Sequence, residues 1–214
     1  EALQVPTVAF CHSNVEELVA NTLGKLAARS TRLYLTRLYS RFDLVLAPSA
    51  WMRQHLRDAG VVRALHQPLG VDARTFHPMR RDPHWRASLG LADDAKVLIY
   101  VGRFSAEKHL DTLCDAVEKL GAPYSLVLFG TGPVAPQGKR VIVKAFEPDS
   151  RLIARALASA DAFVHGGDQE TFGLAALEAL ACATPLVARD MAGLGELVSD
   201  RLGAVVHGGT ATHF

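Results

Sequence analysis

The chain has 214 residues, 49% of them hydrophobic, 21% charged and 7% aromatic, and carries a formal net charge of +1. That composition describes a globular chain of one large or two small domains and excludes disorder, while the near-neutral balance gives no electrostatic case for nucleic acid as a partner. No stretch resembles a signal peptide and no apolar run reaches membrane-spanning length, and Cys11, Cys114 and Cys182 stand far apart among apolar residues, as expected of buried reduced thiols in a cytoplasmic protein.

In chain order, Pro6 to Cys11 reads as a strand and Glu16 to Arg41 as one long helix. "DLVLAP" (43 to 48) is a second strand, Ser49 an N-cap for a helix over 50 to 58, and "VVRAL" (61 to 65) a third strand. The stretch 67–78, "QPLGVDARTFHP", has two prolines, a glycine and no apolar period, and is the expected linker.

The pattern then restarts with "KVLIYV" (96 to 101), a helix over 109 to 120 stopped by Gly121, "SLVLFG" (125 to 130) and "RVIVKAF" (140 to 146). A helix opened by Asp149, the strand "DAFVH" (161 to 165), a helix after Glu170 and the strand "PLVA" (185 to 188) complete it. Uninterrupted apolar strands separated by helices predict parallel sheet covered on both faces, arranged as two doubly wound α/β domains. Ligands of such folds sit beyond the carboxyl ends of the strands, so the loops after 101, 130, 146 and 165 are the candidate functional loops.

The first of these, "GRFSAEKH", sets Arg103 and Lys108 beside Gly102, a pair of cations suited to a multiply charged anion such as a diphosphate. In the last, Gly166 and Gly167 permit close backbone approach, and the helix behind them offers the amides near Phe172, Gly173 and Leu174 to a phosphate or sugar oxygen. Between Phe172 and Pro185 every residue is apolar, small or Thr except Glu178, a carboxylate that needs a partner. Eight positions earlier lies Glu170, and both carboxylates can accept from hydroxyls of one polyol; the alternative is that Glu178 caps a buried cation and Glu170 is solvated. His12 directly follows a strand, which suits either a cleft position or a hydrogen-bonded structural role.

A dehydrogenase is excluded because "GTGPVA" (130 to 135) has Ala135 for the third glycine, and a P-loop NTPase because "GPVAPQGKR" has an extra residue and Arg140 where Ser or Thr is required. Neither Asp-x-Asp nor zinc spacing occurs, so no metal is expected. Over 25–42, Lys25, Arg29, Arg32, Arg37 and Arg41 alternate with Leu and Tyr without an acidic neighbour. Such a helix can lie on anionic lipid, though the cations spread too widely for one clean face and a solvated surface is the competing reading.

"VGRFSAEKHLDTL" and "GGDQETFGLAALEALACATPLV" resemble the signature segments of retaining glycosyltransferases of the GT-B architecture, family 4, with Glu170 and Glu178 as its E-x7-E pair. "VPTVAFCHSN", "DLVLAPSAWMRQHL" and "LGVDARTFHP" are similar to segments of its subset that uses GDP-mannose or UDP-sugars to build glycolipids. The resemblance implies two Rossmann-like domains facing a cleft. Residues 1–75 would be the later part of an acceptor-side domain and 79–214 a donor-binding domain lacking its C-terminal end, in a chain truncated at both ends.

It implies that Arg103, Lys108 and Gly102 bind the donor diphosphate, that Glu178 binds the nucleotide ribose, and that the Phe172, Gly173 and Leu174 amides hold sugar or phosphate oxygens. His12 and Glu170 would be the catalytic pair at the transferred sugar. The donor would be GDP- or UDP-linked with no further cofactor, the acceptor a sugar, lipid or glycan, and the location cytoplasmic or peripheral on the inner face of the membrane. The rival reading is a nucleotide-sugar-binding fragment or relative without turnover.

Overall fold

The computed structural model describes residues 5–198 and 201–214. The first four residues of the expected 1–75 domain, and Ser199 and Asp200 of the expected 79–214 domain, lie outside the described residues. The chain divides into two compact units, one running to Leu69 and including Gln169–Phe172, the other comprising Gly70–Asp168 and Gly173–Phe214. The first break falls inside the Pro- and Gly-containing stretch 67–78.

The first unit contains β1 (Val8–Phe10), α1 (Val15–Leu23), α2 (Lys25–Tyr39), β2 (Leu44–Ala47), α3 (Ala50–Asp58) and β3 (Ala64–His66). Its strands pair in parallel in the order β1-β2-β3, with Val8 opposite Leu44 and Val45 opposite Ala64. Cys11, Val45, Ala47, Met52, Leu56, Val61 and Ala64 form the core. Ser49 Oγ accepts from the Met52 amide at 3.0 Å, the cap its residue type predicts.

Two expectations shift. The single helix over 16–41 is two helices, because Gly24 adopts φ 87°, ψ 170°, outside helical space, and its amide closes α1 onto the Ala20 carbonyl at 3.1 Å. The third strand starts at Ala64 rather than Val61, whose amide bonds back to the Leu56 carbonyl at 2.9 Å and keeps the chain in a turn after α3.

The second unit contains α4 (Trp85–Ser88), β4 (Lys96–Val101), α5 (Leu110–Leu120), β5 (Tyr124–Phe129), β6 (Val141–Lys144), α6 (Ser150–Ser159), β7 (Ala162–His165), α7 (Leu174–Ala181), β8 (Leu186–Arg189) and β9 (Gly203–Val206). Nothing in the sequence reading anticipated α4 or β9. All six strands are parallel, in the order β6-β5-β4-β7-β8-β9. The chain winds outward from β4 to β6, then restarts on the other side at β7 and winds outward to β9.

Alternate strand residues feed two cores, which is why these strands carry no polar alternation. Val97, Ile99, Val127, Phe163 and Leu186 pack with α6 and α7 on one face, and Tyr100, Leu126, Leu128 and Val164 with α5 on the other. Each such fully buried side chain contributes about 1.5–3 kcal/mol. The strand order reverses between β4 and β7, so the loops leaving Val101 and His165 open side by side at the position where this topology binds ligands.

Candidate functional site

The loop after β4 is set by close packing of backbone. The Tyr100 hydroxyl donates to the Arg103 carbonyl at 2.9 Å and leaves no room for a Cβ at Gly102, which would meet that hydroxyl oxygen at 2.6 Å. A Cβ at Gly130, in the loop after β5, would lie 1.8 Å from the Gly102 carbonyl oxygen, so Gly130 is required by the approach of the two loops and Gly102 by the Tyr100 hydroxyl. The two cations differ in setting. Arg103 extends into solvent with its side chain 71% exposed and Nη2 3.6 Å from Glu107 Oε1, while Lys108 is buried. Burial works to raise the Glu107 pKa, but the Ser105 hydroxyl at 2.6 Å, its own amide and the Lys108 and Arg103 charges outweigh it and hold the carboxyl below its ordinary range.

Beyond β7 the chain runs through Gly166 and Gly167 to α7. Gly173, with φ 93° and ψ 60°, is the N-cap, and no side chain caps the helix, so its first amides stay open. A Cβ at Gly173 would meet Leu194 Cδ1 at 2.8 Å, a second reason for glycine there. One turn in, Glu178 is partly buried and, among the described residues, forms neither an ion pair nor a side-chain hydrogen bond. Burial alone pushes its carboxyl pKa up. Among the described residues, no buried cation is capped by Glu178.

Val101, Gly102, Arg103, Phe129, Gly130, Thr131, Phe146, Glu147 and Ile153 line a cleft of about 190 Å³ beyond β4, β5 and β6. Phe146 offers an exposed ring there and Glu147 a carboxylate whose Oε1 accepts from the Asp149 amide at 2.9 Å. Sequence reasoning named these loops but neither side chain. It also missed His109, Asp168 and Arg189, which converge beside the Lys108 backbone.

In the first unit, His12 is exposed two residues past β1, its ring stacked on Phe10 at 4.3 Å between centroids. The Thr171 hydroxyl donates to the His12 carbonyl at 2.7 Å and Asn21 Nδ2 to Gln169 Oε1 at 3.1 Å, so the segment carrying Glu170 is fastened beside His12. Phe172 closes this segment and is buried. Among the described residues no three His, Cys, Asp or Glu side chains are grouped to hold a metal ion, and no helix is long and apolar enough to cross a membrane.

Two parallel α/β units, the second with an open helix end and cations at its topological switch point, define the GT-B fold class. Residues 81–214 match the family model "Glycosyl transferases group 1" and residues 1–75 match "Glycosyltransferase Family 4". The chain belongs to this glycosyltransferase family.

It is 33% identical, over 94% of its length, to the GDP-mannose-dependent alpha-(1-6)-phosphatidylinositol dimannoside mannosyltransferase of Mycobacterium tuberculosis, of which it spans 55%. It is 32% identical, over 92% of its length, to the GDP-mannose-dependent alpha-mannosyltransferase of Mycolicibacterium smegmatis, of which it spans 52%. The chain thus spans about half the length of these relatives. Its fold is shared by the crystal structure of Anabaena Alr3699/HepE in complex with UDP and glucose, with a TM-score of 0.80, 21% identity, and coverage of 97% of this chain and 59% of that one.

Proposed function

We propose that the protein is a retaining, metal-independent glycosyltransferase that moves mannose from GDP-mannose to a hydroxyl of a glycolipid acceptor on the cytoplasmic side of a membrane. The observation that carries this is Glu178, a partly buried carboxylate without a partner among the described residues, on a helix with an uncapped N-terminus. Ribose hydroxyls supply the donors that such an acceptor-only group lacks. Arg103 and Lys108 take the diphosphate, Gly102 gives it room, and the Phe172, Gly173 and Leu174 amides bind oxygens of the sugar or phosphate. Glu170 and His12 hold hydroxyls of the mannose.

In the transfer, the bond from the anomeric carbon to the diphosphate oxygen breaks, the acceptor oxygen bonds to the same carbon on the same face, and the acceptor proton passes to an oxygen of the departing diphosphate. The negative charge left on the diphosphate is stabilised by Arg103, Lys108 and the α7 N-terminus, fixed groups that need no reorganisation. Arg103 pairs with Glu107 at 3.6 Å with its side chain 71% exposed, a contact that a phosphate can displace at little cost.

The base reading rests on Glu147. Guanine presents two N–H donors on its Watson–Crick edge and uracil one, so a carboxylate in the cleft whose Oε2 has no hydrogen bond among the described residues favours guanine, and the Phe146 ring gives it a face to stack on. The two relatives carry GDP-mannose in their names. One of those names also specifies a phosphatidylinositol acceptor, which supports an anionic lipid surface as the partner of α2.

The test is transfer assayed on the full-length protein with GDP-mannose and a glycolipid acceptor. Activity is expected to survive EDTA, the product to keep the donor's anomeric configuration, and Arg103→Ala to lower kcat by about 10²-fold. Inverted product, or activity abolished by EDTA, would overturn the retaining and metal-independent parts of the reading.

A further inference from the structure

Two loops and the end of β8 in the second unit meet at Asp168, to which the donor reading assigns no role. Asp168 Oδ2 lies 2.9 Å from His109 Nε2 and 3.6 Å from Arg189 Nη1, and that Arg189 nitrogen also donates to the Gly166 carbonyl at 3.3 Å. The Asp168 amide returns a hydrogen bond to the Glu107 carbonyl at 3.4 Å. The strands of this knot run so close that a Cβ on Gly166 would stand 3.1 Å and 3.2 Å from the carbonyl oxygens of His109 and Lys108, and one on Gly167 3.0 Å from that of Glu107. The two glycines therefore serve loop against loop.

His109 is itself unusual. It caps α5 with φ 48°, ψ 46°, a left-handed conformation that is uncommon for a residue with a Cβ. Asp168 holds its imidazole in that turn through the 2.9 Å contact. Because His109 directly follows Lys108, fixing one fixes the backbone from which the other's ammonium is aimed. Among the described residues, Asp168 Oδ1 and Arg189 Nε in this knot are buried with no hydrogen-bond partner.

We propose that Asp168 is a positioning residue for donor binding: with Arg189 behind it, it grips His109 and so locks the loop after β4 against the loop after β7, setting Lys108 for the diphosphate. This rests on the donor-site reading, and the experiment separates the two. Calorimetric titrations compare the nucleoside diphosphate and monophosphate of guanosine and of uridine on wild type, Asp168→Ala, His109→Asn and the double variant, with thermal midpoints recorded alongside. Asn tolerates left-handed backbone, so His109→Asn removes the imidazole while leaving the turn and the Asp168–Arg189 pair.

The wild type is expected to prefer diphosphate to monophosphate, and each variant to lose roughly tenfold of that preference, within the range that misplacing a binding group by ~1 Å costs. The double variant should lose no more than either single one, as expected of residues acting through one contact. Should Asp168→Ala fail to fold, His109→Asn decides. A folded His109→Asn with the wild-type preference would overturn the positioning role and leave the donor site standing. A wild type that binds no nucleotide would remove the donor reading and this role with it.

Discussion

Glu178 is held at a cost to the free protein, and the sign of that cost is measurable. Burial raises its folded pKa above the ordinary 4.5, so the unfolded chain ionises first as pH rises. Below pH 4.5 both states are protonated and there is no penalty; it grows as pH rises through the raised folded pKa and is complete above it. Glu178→Gln is therefore expected to leave the thermal midpoint unchanged near pH 4 and to raise it near pH 7. A midpoint that falls near pH 7 would mean that Glu178 has a stabilising partner. The carboxylate was legible in the sequence because it is the one charged residue in an apolar run. The Asp168 knot was not, since His109 lies 59 positions from its partner and belongs to no motif.

At the scale of elements, local signals carried furthest. Ser49, Asp149 and Gly121 mark the helix ends that their residue types predict, because a cap is a contact with the next few residues. Gly24 breaks the expected long helix by backbone conformation, which apolar periodicity does not register. That break also sharpens the lipid question. Arg32 turns to Glu16 at 3.7 Å and leaves the outer stripe of α2, where Leu26 (80% exposed), Leu33 (60%) and Tyr34 (65%) stand among Arg29 and Arg37. An apolar stripe set in basic charge suits the interface of an anionic bilayer. The protein is expected to co-sediment with phosphatidylinositol-containing vesicles at low salt, and a variant combining Leu26→Ser, Leu33→Ser and Tyr34→Ser to stay in solution. Equal sedimentation of both would remove α2 as the contact.

For the whole molecule, the alternation of apolar runs and helices made two doubly wound units legible, while strand order was not, because a parallel sheet of either order presents the same apolar strands. The order found places the switch point between β4 and β7, and with it the loop that carries Arg103 and Lys108 and the loop that leads into Gly173 and the helix of Glu178. The buried, free Cys11, Cys114 and Cys182 match the expected reduced thiols. The central claim is a nucleotide-diphosphate site on the second unit that reads guanine. It is tested most directly by calorimetric titration of the protein and its Glu178→Ala variant with GDP and UDP. GDP is expected to bind more tightly than UDP and to lose about tenfold or more of its affinity in the variant, the scale of hydrogen bonds to a charged group. Preference for UDP would contradict the base assignment, and GDP affinity unchanged in Glu178→Ala would contradict the site itself.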